Sequence, residues 1–403
     1  MNDDSIVRLQ NTEKGSREPV INHLPVNKEN KVLEVFFLFL RLGFIAFGGP
    51  AAHISMFRQE FVKNRKWLSD EQYLDLLGIT NLIPGPNSTE MAIHIGYLRA
   101  GWPGLILGGF AFTLPAVLIV LVFSWIYVQY GTTPQVAWIL YGIKPVLIAI
   151  IAQALWELGH KVLKNKIITI IGLGAIGLYF LGVNEVLLIF IGGLIIMLWE
   201  NRSRLKKIKK HSIPLIIPLL PALGNMVIPF SLSTLFLVFL KIGSILYGSG
   251  YVLVAFLRAD LVDRLGWLTE KQLIDAIAIG QITPGPLFTA ATFIGYLLGG
   301  IPGSLIATLG IFLPSYIFVA ISNSIIPKMR RSPWAGSLLD GVIVASLGLM
   351  AAVGLQLAVG SIIDIYTAIL FLISLFVIIK YRVNSTWLIL FGVVFGLISS
   401  FIA

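Results

Sequence analysis

The chain has 403 residues, of which 57% are hydrophobic and 12% are charged, whereas soluble domains carry about 25% charged residues. This composition predicts a membrane protein with many spans, and the net charge of +10 then indicates basic cytoplasmic loops rather than nucleic-acid binding. The absence of cysteine excludes disulfides, thiol chemistry and cysteine-ligated metals.

The chain begins with a polar tail, residues 1–34, which carries mixed charge and is expected to be a disordered cytoplasmic segment. A first membrane repeat is predicted over 35–200. It opens with an apolar segment that is interrupted by Gly-Gly-Pro at 48–50, followed by a basic stretch, 58–72, and a second interrupted segment, 73–98. Four uninterrupted apolar segments follow, at about 103–127, 135–158, 166–182 and 184–199.

The second interrupted segment contains the sequence NLIPGPNSTE at 81–90, which cannot form one continuous helix. Its two prolines remove backbone donors and clash with the preceding turn, and the glycine between them loosens the backbone. The pattern predicts two half-helices, with Asn87 or Ser88 as the N-cap of the second and Glu90 as its capping-box partner. A helix N-terminus at membrane depth is a ready anion site, because its free N–H groups and its dipole point the same way.

The same plan starts again after a basic linker and a proline-rich connecting helix at 201–230, and a second membrane repeat occupies 231–403. The apolar segment around Arg41 matches the one around Lys241, and Thr-Pro-Gly-Pro at 283–286 repeats the Pro-Gly-Pro sequence. The predicted fold is an all-α polytopic membrane protein with two inverted repeats. Each repeat has two broken or re-entrant segments followed by four transmembrane helices, and an extra proline-rich helix joins the repeats.

The inversion is predicted from the charges of the loops. With the basic run 201–210 in the cytoplasm and the proline-rich helix crossing, the N-terminus is cytoplasmic and the C-terminus lies outside. Five basic residues of the second half then also fall inside: Lys328, Arg330, Arg331, Lys380 and Arg382. Re-entrant hairpins are preferred to full crossings, because they place the basic loop 58–72 inside and its charge-balanced counterpart, 258–271, outside.

Several short motifs carry a resemblance to a known family. They are FGGPAAHI at 47–54, EFV at 60–62 with Trp67-Leu68, Pro-Gly-Pro at 84–86, GWPG at 101–104, GSGY at 248–251, GWLT at 266–269 and TPGP at 283–286. Together they resemble the chromate ion transporter family in its long form with two homologous halves, over about residues 35–403. The resemblance implies a secondary transporter of the cell inner membrane that exports chromate, a tetrahedral dianion similar to sulfate.

The predicted substrate site combines two cations with the two breaks. Arg41 and Lys241 occupy equivalent positions inside apolar segments, where a cation is costly, and they either neutralise a dianion from two sides or snorkel to the interface. The hydroxyl groups near the breaks either donate to oxyanion oxygens or cap helices. The residues expected to bind the substrate are Arg41, Lys241, Gly48, Gly49, Pro84, Gly85, Pro86, Asn87, Ser88, Thr89, Thr283, Pro284, Gly285, Pro286 and Thr289.

Other titratable residues are candidates for proton coupling. Glu90 is one, with the capping box as the alternative, and His53 and His94 are two more, with a structural hydrogen bond as the preferred alternative for each. Lys144 and Asp340 lie in corresponding apolar segments, and a pair between them across the pseudo-two-fold axis is considered.

No nucleophile triad, Walker loop or metal-ligand cluster is apparent, so an enzyme is not predicted and no cofactor or metal is expected. The expected partners are chromate or a similar oxyanion, the lipid bilayer and, as one possible assembly, a second copy of the chain in a homodimer. Two alternatives to chromate export stay open. One is transport of another oxyanion such as sulfate, and the other is a lipid or polyprenyl-phosphate translocase.

Overall fold

The computed structural model describes residues 28–131, 133–163, 166–205, 229–247, 250–330 and 332–402. The predicted tail up to residue 27 and the predicted connecting helix over 213–228 lie outside these residues. The described chain is helical and contains no strand, which confirms the all-α prediction. Helix α1 begins at Lys28, so it extends into the predicted tail.

The first repeat begins with three helices, separated by breaks, and a π-helical segment, and it continues with two long helices and two of intermediate length. Its elements are α1 (Lys28–Ile45), α2 (Gly49–Phe57), a π-helical segment (Arg58–Asn64), α3 (Asp70–Thr80), α4 (Asn87–Tyr130), α5 (Pro134–Val162), α6 (Lys166–Phe180) and α7 (Glu185–Glu200). A short α8 (Arg202–Leu205) follows.

The second repeat has the same order of elements, which confirms the duplication. Its elements are α9 (Leu232–Ile245), a 3-10 turn (Gly250–Val252), α10 (Leu253–Leu257), a π-helical segment (Arg258–Arg264), α11 (Glu270–Ile282), a 3-10 turn (Leu287–Thr289), α12 (Ala290–Arg330), α13 (Pro333–Ser361), α14 (Ile365–Tyr381) and α15 (Ser385–Ile402). Even the capping boxes match, because Ser69 caps α3 with Gln72 and Thr269 caps α11 with Gln272.

Four segments of the described helices are long and apolar enough to cross a membrane: Asn87–Tyr130, Val136–His160, Leu287–Ser322 and Pro333–Ser361. The first and third are not straight. Gly101 in α4 has φ 67° and ψ −148°, and Gly300 in α12 has φ 61° and ψ −150°, which only glycine adopts easily. No room exists for a side chain between Gly96 and the Gly104 carbonyl, so the two limbs of α4 pack closely on each other. Each long helix therefore turns back on itself.

The broken segments of each repeat return to the face from which they start. In the first repeat, Glu34 near the start of α1 forms ion pairs with Arg65 after the π-helical segment, at 2.9 Å, and with Arg99 before the Gly101 turn, at 2.8 Å. In the second repeat an apolar group replaces these charges, because the rings of Phe230 and Trp267 pack 5.3 Å apart. These contacts are those of two re-entrant hairpins per repeat.

The two repeats run in opposite directions. His94 near the start of α4 contacts Ser322 of α12 at 3.4 Å, whereas Tyr127 near the end of α4 packs on Phe293 near the start of α12, with ring centroids 5.1 Å apart. The limbs that follow the two turns show the direction: Gly109 of α4 lies against Tyr316 of α12, whereas Tyr127 packs on Phe293, whose neighbour Thr292 bonds Thr308 at 2.7 Å. Residue numbers rise along this limb of α4 as they fall along that of α12, so the two limbs are antiparallel. This is the inverted relation that the charges of the loops predict.

The remaining helices exchange partners between the repeats. Helix α5 of the first repeat packs against α14 and α15 of the second, and α13 of the second packs against α6 and α7 of the first. Gly142 lies against the backbone of Gly392, and Gly341 lies against that of Gly192, so the helices approach closely at both crossings. The two repeats therefore share one interior.

Candidate functional site

Each Pro-Gly-Pro loop binds the opposite repeat. The Gly85 N–H donates to the Leu246 carbonyl after α9, at 2.8 Å, and the Gly285 N–H donates to the Ala46 carbonyl after α1, at 2.7 Å. Both glycines have a positive φ, of 137° and 107°, which favours glycine. Each break is thus fixed by the first helix of the opposite repeat.

A cleft lies beside the Gly285 loop and is lined by residues of both repeats. The first repeat contributes Gly48, Gly49 and Pro50, and the second contributes Gly250, Tyr251, Gly280, Gln281, Thr283, Gly285 and Leu287. Helix α2 begins at Gly49 after the left-handed Gly48, so its N-terminal turn borders the cleft. The first N–H groups of a helix have no partner within the helix and favour an anion.

The side chains of the cleft are neutral hydrogen-bonding groups. Gln281 is 9% exposed, and its Nε2 makes no well-formed hydrogen bond among the described residues, although the Tyr251 hydroxyl lies beside it. The Tyr251 hydroxyl is close to Gln281 and faces Gly49. The Thr283 hydroxyl donates to the Ile279 carbonyl at 2.8 Å, so within the cleft its oxygen can only accept hydrogen bonds. No charged side chain of the described residues lines this cleft, so an anion bound there would be held by amide and helix N–H groups.

The cleft lies toward the face that carries the α14–α15 loop. A side chain on Gly48 would reach within 2.8 Å of the Asn384 Nδ2 in that loop. The loop follows Lys380 and Arg382, whose charge predicts a cytoplasmic position. Gly48 at the wall of the cleft is therefore close to a loop that is predicted to be cytoplasmic.

The predicted capping box at the start of α4 is wrong. Pro86 holds the N-cap position with φ −79° and ψ 99°, and no side chain caps the helix. Asn87 is therefore already inside the helix, and its Nδ2 donates to the Asn81 Oδ1 at 2.6 Å, which bridges the break. Ser88 is buried and makes no cap. The proline takes the non-helical position that the asparagine or serine would need.

Glu90 is therefore not part of a capping box, which is the role that its spacing suggests. Its side chain is 0% exposed and turns toward Gly85 and the Ser315 hydroxyl of α12. Neither carboxylate oxygen has a well-formed hydrogen bond among the described residues, and neither has the Ser315 hydroxyl or the Thr89 hydroxyl beside it. This polar group lies behind the first Pro-Gly-Pro loop, inside the shared interior.

The two predicted cations lie away from the cleft. Lys241 donates to Asp260 at 2.7 Å, in the loop of its own hairpin. Arg41 is exposed and close enough to Glu60, the counterpart of Asp260, to act on its charge. The structure therefore gives both cations acidic neighbours and brings neither into the cleft, whereas it does bring together Gly48, Gly49, Thr283 and Gly285.

The two histidines occupy structural positions. His53 Nε2 lies 2.9 Å from the Ala46 carbonyl, which only accepts, so Nε2 carries the hydrogen. The same carbonyl accepts a hydrogen bond from the Gly285 N–H, so His53 supports the contact between α1 and the second Pro-Gly-Pro loop. The His94 ring is buried against Ser322, as described above. In the second repeat, the Thr289 hydroxyl donates to the Pro286 carbonyl at 2.9 Å.

A second buried polar group joins the repeats on the other side of the molecule. Lys144 of α5 lies 3.3 Å from Asp275 of α11, and the Tyr127 hydroxyl donates to the same carboxylate at 2.8 Å. Asp275 is 0% exposed. The partner found for Lys144 is thus on α11, whereas Asp340 of α13 was considered from the sequence. No cluster of His, Asp and Glu that suits a metal ion occurs among the described residues.

Three residues at these sites were missed from the sequence. Gln281 and Tyr251 line the cleft, and Ser315 faces Glu90. Gln281 stands two residues before Thr283-Pro284-Gly285-Pro286, so its place next to a break was a usable signal. Tyr251 belongs to the GSGY motif at 248–251, whereas no local pattern indicates Ser315.

Comparison with known proteins shows the family. The family model for chromate transporters matches the chain twice, over residues 33–197 and 233–397. A chromate transport protein of Cupriavidus metallidurans is 33% identical over 359 residues, which cover 88% of this chain and 89% of that relative. A probable chromate transport protein of Synechococcus elongatus is 32% identical over 346 residues, which cover 84% of this chain and 87% of that relative.

An archaeal relative extends over still more of the chain. This uncharacterised transporter of Methanocaldococcus jannaschii is 29% identical over 396 residues, which cover 92% of this chain and 98% of the relative. No solved structure matches the chain.

Proposed function

The chain belongs to the chromate transporter family, and we propose that it exports chromate from the cytoplasm as a secondary transporter of the inner membrane. Relatives that are named chromate transport proteins and align over most of the chain support this substrate. An interior-negative potential favours the proposed direction, because each negative charge that leaves the cell gains about 2.3 kcal/mol per 100 mV.

The observation that carries the proposal is the neutral cleft between the repeats. A tetrahedral dianion can accept hydrogen bonds from the Gln281 amide and from the N–H groups at the start of α2. The loops that border the cleft come from both repeats, so a relative movement of the inverted halves would change the side on which it opens. We assign the substrate to this cleft, with Gly48, Gly49, Gln281 and Gly285 at its wall.

The test is uptake of radiolabelled chromate into inside-out membrane vesicles under an imposed voltage. We expect uptake that sulfate, which has the same shape and charge, inhibits strongly and that monovalent chloride inhibits poorly. Wild-type vesicles that take up no more chromate than vesicles without the protein would refute the function. Uptake of a labelled lipid phosphate instead would favour the translocase alternative.

Gln281→Leu is expected to weaken chromate binding, because it removes a buried amide donor from the wall of the cleft while leaving the backbone in place. A hydrogen bond to a charged group contributes about 1.5–3 kcal/mol, which corresponds to roughly a 10- to 150-fold increase in the half-saturating chromate concentration. The control is Gln129→Leu, at an exposed position near the end of α4. An unchanged chromate affinity in Gln281→Leu would move the site out of this cleft.

The proposed orientation has the N-terminus in the cytoplasm and the C-terminus outside. Glu71 and Lys271 are equivalent exposed residues at the starts of α3 and α11, and the chain has no natural cysteine. In intact cells, an impermeant thiol reagent should label Lys271→Cys and leave Glu71→Cys unlabelled. In permeabilised cells it should label both. Equal labelling of the two in intact cells would refute the inverted orientation in the membrane.

A further inference from the structure

Glu90 is a buried carboxyl group that the binding of an oxyanion leaves unexplained. It belongs to the first turn of α4, directly behind the loop whose Gly85 N–H binds Leu246 of the other repeat. Its side chain is 0% exposed, and neither oxygen has a well-formed hydrogen bond among the described residues, although the Ser315 hydroxyl lies beside the carboxyl group. Such a group is rare in a protein interior and calls for a functional reason.

The surroundings of Glu90 contain hydroxyl groups and no counter-ion. The Ser315 hydroxyl of α12 lies beside it, and Tyr247 after α9 is close enough to interact electrostatically with its carboxylate form. His94 lies one turn further along α4 and faces Ser322. No lysine or arginine of the described residues forms an ion pair with Glu90. A carboxylate buried without a cation is costly, so this arrangement favours the neutral acid with its proton bound.

The position of Glu90 connects its charge to the state of the carrier. Its neighbours belong to both repeats: Gly85 is in its own repeat, whereas Ser315 and Tyr247 are in the other. A relative movement of the repeats must therefore change the contacts and the water around the carboxyl group. The corresponding position of the second repeat is Ala290, so the group is single.

The charge of the substrate determines whether the proton and the substrate move in the same direction or in opposite directions. A dianion bound between the repeats and an ionised Glu90 in the same shared interior would repel each other. Protonation removes this repulsion, so the proton and the oxyanion favour each other's binding. We propose that Glu90 binds a proton that moves together with the oxyanion, which makes the protein a proton–oxyanion cotransporter. This inference rests on the proposed function and adds its coupling ion.

The experiment measures chromate uptake and lumenal pH together in inside-out vesicles of the full-length protein. In the wild type, chromate entry should acidify the lumen, and its initial rate should fall by up to about tenfold per pH unit as the outer solution becomes alkaline. Glu90→Gln mimics the neutral acid. It should still carry chromate under an imposed voltage, without acidification of the lumen and with a flatter pH profile.

The protonation of chromate itself is the same for both proteins, so a difference between their pH profiles reports the side chain. Glu90→Asp should retain acidification, and His94→Asn should keep the wild-type pH profile. Chromate entry without acidification in the wild type, or with alkalinisation, would overturn the cotransport. Acidification that persists in Glu90→Gln would assign the proton to another group and overturn the role of Glu90.

Two further results keep the coupling separate from the function and from folding. No wild-type uptake at all would refute the transport function, whereas uptake without proton movement would refute only the coupling. If Glu90→Gln does not reach the membrane, Ser315→Ala is the second variant, because it removes the nearest polar neighbour of the carboxyl and keeps the carboxyl itself. It should shift the pH profile of uptake, and an unchanged profile would count against Glu90.

Discussion

Gly285→Val and Gly85→Val are each expected to abolish chromate transport, even though the other loop is intact. Both glycines have a left-handed φ, which a β-branched residue avoids at a cost of about 1–3 kcal/mol. A Cβ on Gly285 would lie 2.8 Å from the Ala116 Cβ, and one on Gly85 would collide with Glu90 and Ser315. Crowding of this kind costs about 1–3 kcal/mol more, and it acts where the repeats bind each other.

The matched control is Gly182→Val. Gly182 also has a positive φ, of 79°, but a Cβ there would meet nothing within 4 Å. It therefore carries the backbone strain without the crowding between repeats, and it should transport chromate. The measurements are the amount of monodisperse protein in detergent and the rate of uptake into vesicles. Normal transport by one loop variant and none by the other would show that a single repeat carries the anion.

Asp275→Ala is expected to destabilise the protein strongly, because it leaves the mostly buried Lys144 ammonium without its carboxylate partner. Truncating one member of a buried ion pair costs about 3–5 kcal/mol, and the Tyr127 hydroxyl loses its acceptor as well. The apparent melting temperature in detergent and the yield of folded protein should both fall. Asp75→Ala is the control, because Asp75 is the equivalent residue of the first repeat and is exposed.

A double variant distinguishes loss of packing from loss of the pair. Lys144→Met with Asp275→Leu replaces both charges with apolar side chains of similar size, and such replacements of buried pairs are often neutral or stabilising. The double variant should therefore recover most of the stability that Asp275→Ala loses. A double variant as unstable as Asp275→Ala would show that the pair itself is not the stabilising element.

The sequence predicted the duplication, the breaks and the inverted hairpins, because each has a local or compositional cause. Proline and glycine interrupt a helix wherever they fall, and loop charges follow the cytoplasm. The N-cap of α4 was mispredicted because Asn87 follows Pro86, and the proline itself adopts the non-helical conformation.

The contacts of the site were beyond local patterns. Lys241 looked like a substrate ligand inside an apolar segment, but the π-helical segment of its own hairpin brings Asp260 to it. Ser315 reaches Glu90 from the far repeat, and that proximity depends on how two long helices cross. The position of Gln281 next to a break could have indicated it, but that its amide lies at the wall of a cleft depends on the packing of both repeats.

The exchange of helices between the repeats also sets the order in which the protein can be made. A ribosome delivers α5 well before α14 and α15, on which α5 packs, and Lys144 reaches the membrane before Asp275 exists. Until the last helix is synthesised, the first half must wait in the insertion machinery or in lipid with its inner surfaces uncovered. A chain truncated after the first repeat would lack α13, α14 and α15, so the surfaces of α5, α6 and α7 that pack on them would be uncovered.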